Sequence, residues 1–385
     1  MGLAFRSAGE SHGRGIFALI EGLPAGIRLD LDGVNAELAR RQGGYGRGKR
    51  QGIERDAAEI LAGVRGGLTN GGPLLMAVWN RDSRLETAPE LYAPRPGHAD
   101  LAGHLKYGMP IRDVLERASA RETAARVACG AVCKQFLMRF GVVVRGRVVR
   151  IGRAAIEAAR RSPRADFAAA LKSDVGCDDR EAAEKMRREI DRARQRGDTL
   201  GGIFEIEARG VPAGLGSHSQ WDRRLDARLA CAVMSIPAVK GVEIGLGFEL
   251  AGMFGSMAVD PIGYRPPAIP SPTGGFLRKS NNMGGIEGGM SNGEPIIVRA
   301  AMKPIPTLMN PAQSVNVTDG RPAKAAVERS DCCAVPAASV VGEAMVAYVL
   351  ADAFLEKFGG DSLGEIERNY KGYLRSISKK RGGGR

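Results

Sequence analysis

Aromatic side chains are scarce, at 5% of 385 residues, too few to build a stacking platform along single-stranded nucleic acid. Histidine is scarcer still. With four in the whole chain, each one in an unusual setting carries weight. The six cysteines, at 129, 133, 177, 231, 332 and 333, form no CxxC pair and no zinc spacing with those histidines. Reduced thiols in a cytoplasmic protein with no bound metal are the expectation, and Cys129 and Cys133, one helical turn apart, read as small buried hydrophobes. No apolar run approaches the roughly 18 residues of a membrane span, and no apolar leader opens the chain. Membrane and secreted classes recede.

What is plentiful is glycine and positive charge. The 53 glycines are about twice the usual share and cluster without a period, which excludes collagen and linker readings. Lysine and arginine outnumber aspartate and glutamate by 56 to 43, a net charge of +13. Such an excess needs an anionic partner: nucleic acid, or a phosphate-bearing small molecule. At 44% hydrophobic and 26% charged, the chain can bury a core without staples.

Helical and strand patterns alternate irregularly, which predicts an α/β (α+β) chain folded as a single large domain over 1–378, followed by a basic, mobile tail, 379–385. Apolar spacing predicts a core helix over 121–140 behind a Ser119/Glu122 capping box, ending at Gly141, and a second over 338–358 ending at Gly359. Alternation at Val242, Ile244, Leu246 and Phe248, and at Ile296, Val298, Ala300 and Met302, predicts antiparallel strands. The charged stretch 179–196 reads as a solvated helix. The proline-rich stretch 261–275 reads as mobile.

The candidate chemistry lies in a few short segments. Gly9-Glu10-Ser11-His12-Gly13 sets a histidine between glycines, an uncovered imidazole that taken alone is more often a satisfied turn residue. Arg95-Pro96-Gly97-His98-Ala99-Asp100 repeats the arrangement with an arginine and a carboxylate alongside. A proton donor next to an anion clamp suits departure of a phosphate. Residues 40–50 (RRQGGYGRGKR) carry five cations, four glycines and no acid, an anion cradle or a basic loop that touches nucleic acid. Their Walker-like spacing fails, because Arg50 stands where Ser or Thr would hold magnesium. Arg117-Ala118-Ser119-Ala120-Arg121 sits at a predicted helix start, where amides bind phosphate readily. The glycine-rich turn 283–293 lacks the strand and helix of a Rossmann site.

In order, GESHG (9–13), RRQGGYGRGKR (40–50), RPGHAD (95–100), ERASARETAARVACGA (116–131), GLGSHSQWDRRLDARLA (214–230), KGVEIGLGFE (240–249), NNMGGIEGGMSNGEPI (281–296), MKPIPT (302–307) and ERSDCCAVPAA (328–338) resemble the chorismate synthases. The resemblance covers most of the chain. It implies a lyase of the last shikimate-pathway step, in aromatic amino acid biosynthesis, which removes phosphate from 5-enolpyruvylshikimate 3-phosphate by anti 1,4-elimination. It further implies dependence on reduced FMN (FMNH2), with a β-α-β sandwich of long core helices between largely antiparallel sheets, assembled as a cytoplasmic homotetramer with no nucleic acid or membrane partner.

By the same resemblance, His12 protonates the leaving phosphate, His98 lies beside the flavin, and Asp331 relays a proton near its reactive nitrogen. Arg41, Arg47, Arg50, Arg95, Arg121 and Ser11 correspond to residues that hold the anionic substrate or NADP. Arg117, Ala118, Ser119, Pro237, Ala238, Gly288, Lys303, Pro304, Ile305, Pro306, Thr307 and Arg329 correspond to the flavin-contacting set. Two positions depart from the family pattern: Ala118 replaces a serine, and Pro237 replaces an asparagine, removing an amide donor.

Overall fold

The computed structural model describes residues 2–48, 55–157, 165–328 and 331–378. Period-two apolar patterns build two sheets whose paired strands are all antiparallel. The first runs Ala4–Ala8, Gly15–Glu21, Leu74–Trp79, Ala58–Ala62, and buries Ile16, Ala18 and Ile20 on its inner face. The second runs Val239–Ile244, Ile296–Met302, Gly202–Arg209, Val143–Ile151, Ala154–Ala155. Helix Thr123–Met138 packs against the first sheet and against helix Val335–Phe358, which packs in turn on the second. A single cluster of buried apolar residues runs from Leu3 to Tyr370.

The two helices approach so closely that a Cβ on Gly130 would stand 2.3 Å from the Cα of Ala344. Near that crossing lies a buried carboxylate. Glu343, 1% exposed, accepts hydrogen bonds from Arg40 (2.7 Å), from the Gly146 amide (2.9 Å) and from Lys134, tying the helix Leu31–Gln42 to both core helices. Helix Val335–Phe358 is apolar and long enough to cross a membrane by composition, a property the sequence reading did not anticipate because Glu343 and Asp352 interrupt it. It is a core helix instead, with 89% of its most apolar window buried in the protein.

Several expectations are corrected. The first core helix starts with a 3-10 turn, Ala120–Glu122, before Thr123–Met138, and only half of the capping box forms. The Ser119 hydroxyl accepts the Arg121 amide at 3.3 Å, while Glu122 pairs with Arg126 at 2.8 Å. The strand beginning at Val239 stops at Ile244 because Gly245 turns it with a positive φ, and Phe248 ends 80% exposed in a 3-10 turn. The charged helix, Arg180–Gln195, is not solvated all round: Ala182, Met186 and Ile190 are buried against the core. Part of the stretch 261–275 forms a strand, Ile262–Tyr264, paired to Phe276–Arg278 with the Tyr264 and Phe276 rings 5.1 Å apart. The tail 379–385 lies outside the described residues.

Candidate active site

A cavity of about 550 Å³ opens where seven segments meet, and it is walled by Ser11, His12, Arg41, Arg47, Arg95, His98, Ala118, Ser119, Arg121, Pro237, Ala238, Lys303, Ile305, Pro306, Thr307 and Asp331 among others. These were read from motifs scattered over more than 300 residues of chain. The two core helices begin at this wall, through Thr123 on one side and Ala334, Ala337 and Ala338 on the other. Their positive dipole ends add to the cationic character of the cavity.

The His12 turn joins the first two strands. Gly9 has φ +105, and a Cβ there would fall 2.1 Å from the Gly15 carbonyl, so the tight backbone requires glycine. Asn80 closes the turn by donating to the Glu10, Ser11 and Gly13 carbonyls (2.8–3.3 Å). Buried Glu116 then takes both the His12 amide (2.8 Å) and Nδ1 (2.9 Å). Burial alone would raise the Glu116 pKa, but the His12 hydrogen bonds and charge hold it below the usual carboxylate value. An ionised carboxylate can only accept, so Nδ1 carries a proton, which leaves Nε2, 3.9 Å from Asp82 Oδ2, as the nitrogen that can exchange one.

His98 is arranged alike. Its Nδ1 lies 2.5 Å from Asp100 Oδ1, and Arg95 donates to the same carboxylate from Nε (2.8 Å) and Nη2 (2.9 Å). Burial works to raise the Asp100 pKa, and the bonds from His98 and Arg95 overcome it, leaving the group well below its ordinary value. Arg95 Nη1 reaches the Thr307 hydroxyl at 2.9 Å, which joins the histidine loop to the segment 303–307.

The other arginines are held in the same manner. Arg41 and Arg121 share Asp56, at 2.6 and 2.5 Å, and Arg121 Nε also bonds Asn80 (2.8 Å), linking the cationic wall to the His12 turn. Arg47 donates to Asp331 at 2.5 Å, and the Gly48 amide donates to it at 2.6 Å, so Asp331 anchors the glycine-rich loop.

Three sequence-predicted residues are not on this wall. Arg117 turns back to the Ser7 and Gly9 carbonyls at 3.0 Å, buttressing the His12 turn from behind. Pro304 is exposed and outside the lining, and Gly288 sits in the hairpin turn between Ile286–Glu287 and Met290–Ser291. Arg50 and Arg329 lie outside the described residues. Asp56, Glu116, Lys240 and Glu328 were missed as site residues. Glu116 had one available signal, its position beside Arg117; Asp56 had none, because its partners lie 15 and 65 residues away.

The chorismate synthase family profile matches residues 3–355. Chorismate synthases of Geobacter sulfurreducens and Desulforudis audaxviator are 54% and 53% identical to this chain, over 97% and 99% of its length and 99% and 100% of theirs. The chain belongs to the chorismate synthase family. It is accordingly a lyase. A crystal structure of a chorismate synthase superposes with a TM-score of 0.81 at 44% identity, covering 98% of this chain and 99% of the other. That solved structure thus shares the mixed helix-and-sheet architecture of this chain.

Proposed function

We propose that this lyase converts 5-enolpyruvylshikimate 3-phosphate to chorismate and phosphate by anti 1,4-elimination, with reduced FMN bound beside the substrate. The observation that carries this reading is the convergence, in one cationic cavity, of two histidines each held at Nδ1 by a buried carboxylate. The donor set fits two phosphorylated anions. Among the described residues, six cations line the cavity against two carboxylates, Glu328 and Asp331, and the buried Nε of Arg41 has no hydrogen-bond partner. Ile236, Met302, Ile305 and Val341 offer apolar surface for a flat ring. The volume lies within the roughly 300–1,000 Å³ of ligand sites.

Reduced FMN, when bound, supplies electron density as the carbon–oxygen bond to phosphate weakens. His12 presents Nε2 to protonate the departing phosphate, while Arg41 and Arg121, spaced by Asp56, neutralise its charge. His98, fixed by Asp100, orients the flavin-facing side together with residues 303–307. Asp331, held by Arg47, keeps a carboxylate at the wall where a released proton can be taken up. The reading extends to a β-α-β sandwich domain over 1–378, NADP as a source of flavin reduction, a cytoplasmic homotetramer, and no nucleic acid or membrane partner.

The test is an anaerobic assay with FMN, dithionite and the enolpyruvyl substrate, followed by product absorbance. His12→Ala and His98→Ala should each lower turnover by about 10²–10⁴ while the fold persists. Wild-type rates in both variants would overturn the proposal.

A further inference from the structure

Glu116 fixes one nitrogen of His12 and leaves the other undecided. A neutral imidazole whose proton is held on Nδ1 carries a lone pair on Nε2, and that nitrogen can then accept a proton but not give one. A ring that donates from Nε2 must be doubly protonated, a state that negative charge on both sides favours. The structure supplies the second charge. Asp82 Oδ2 stands 3.9 Å from His12 Nε2, with the His12 side chain 8% and the Asp82 side chain 17% exposed. The imidazole is flanked by two carboxylates, one per nitrogen.

The loop that carries Asp82 is built on the His12 turn. It leaves the strand Leu74–Trp79 at Asn80, whose amide donates to the Arg14 carbonyl at 2.9 Å, and returns at Leu85, whose amide donates to the His12 carbonyl at 3.1 Å. Asp82 lies between these two clasps. Arg84 Nε pairs with its Oδ1 at 3.1 Å, and Oδ2 is the oxygen nearer the ring. The other charged groups around His12 are Glu10 on its own turn, Arg112 behind Glu116 at 3.7 Å, and Arg41, Arg47 and Arg121 of the cavity wall. Those four arginines already have carboxylates of their own, Glu328 for Arg112, Asp331 for Arg47, and Asp56 for Arg41 and Arg121. His98 is placed differently. Asp100 meets its Nδ1, Arg95 Nη2 lies 3.0 Å from the same nitrogen, and among the described residues no second carboxylate pairs with that ring.

We propose that Asp82 is a positioning residue for the elimination: its charge keeps a proton on His12 Nε2 until the phosphate of the substrate arrives to receive it. The inference rests on the function proposed above, which gives His12 the donor role. On transfer the Nε2–H bond breaks and an O–H bond forms on the departing phosphate. The ring is left neutral, with its remaining proton on Nδ1 against Glu116. Once phosphate has gone, Asp82 again faces Nε2, and a solvent proton restores the starting state.

The experiment compares full-length wild type with Asp82→Asn, Asp82→Ser and Asp82→Glu, each checked for folding by thermal melting. Turnover and KM are measured against pH in the anaerobic assay. Protonation of His12 is followed separately, without ligands, by NMR of isotope-labelled histidine, with His12→Gln assigning the signals. In Asp82→Asn the ring should lose its second proton about one pH unit lower than in the wild type, the scale of one partly exposed charge at this distance. The alkaline fall in kcat should move down by the same amount, KM should not rise, and turnover on the acid side of the fall should stay near that of the wild type. Asp82→Ser should repeat the shift, and Asp82→Glu should restore most of it. An unchanged NMR titration, or an equal loss of kcat at every pH, overturns the role. A shift by NMR that kcat does not follow overturns it as well. If the wild type shows no turnover, the proposed reaction fails, and the NMR titration alone then judges the hold of Asp82 on the Nε2 proton.

Discussion

Asp56→Asn tests how the cationic wall is held together. The carboxylate is fully buried and accepts from Arg41 at 2.6 Å and from Arg121 at 2.5 Å, and both guanidinium side chains are about 5% exposed. Burial alone would raise the Asp56 pKa, and the two arginine charges reverse that and keep it ionised. The asparagine keeps the shape, removes the charge and leaves two buried cations facing each other. Breaking a buried pair from one side costs about 3–5 kcal/mol. With an unfolding entropy of about 2.1 cal/mol/K per residue, a chain of this length loses about 4–6 °C in Tm for that cost. Because the freed guanidinium groups seek an anion, inorganic phosphate should restore more of the Tm in the variant than it adds to the wild type. Thermal unfolding by circular dichroism, with and without phosphate, reads both effects. A variant that melts within 1 °C of the wild type, or gains no more from phosphate, would refute this account of the wall.

Acid should destabilise the protein through the buried carboxylates of the site. Asp56, Asp100 and Glu116 all titrate below their ordinary values because arginine or histidine partners outweigh burial. A depressed folded pKa stabilises above the unfolded value, near 4, and that stability is lost as pH falls through the folded value. Tm measured against pH should therefore hold above about pH 5 and drop steeply below about pH 4; equal Tm at pH 3 and pH 7 would contradict the assignment. Gly130→Ala would drive a methyl into the Ala344 backbone at 2.3 Å. Overpacking of that kind costs about 1–3 kcal/mol, and a urea midpoint at the wild-type value would show that the helices can separate freely.

Much of the site was legible because its chemistry is carried by short segments with unusual composition. A histidine between glycines, an arginine three residues before a second histidine, and a loop of cations without acids each stand out in a chain this poor in histidine. The counter-charges were not legible. Asp56, Glu116 and Glu343 are ordinary acids in sequence, and what makes them matter is burial beside arginine, histidine or lysine brought from distant strands and helices. The same reason explains the error over 179–196, where charge pattern describes the solvent face of a helix and says nothing about the buried stripe beneath. It also explains the middle strand of the second sheet. Glu205 there is 3% exposed and bridges Arg147 and Arg299 across neighbouring strands, a ladder that exists only once the register is set.

By itself, the order of residues determined local conformation: glycine where the His12 turn needs positive φ, period-two strands, and apolar helices that must be covered. It also determined an excess of cations, and so an anionic partner. Tertiary structure alone decided which carboxylate each cation meets, because that depends on distances between side chains as far as 284 residues apart in the chain. The register slip at Lys240 shows the difference most plainly: one extra residue in a strand, invisible as composition, interrupts the pairing where that strand meets the cavity.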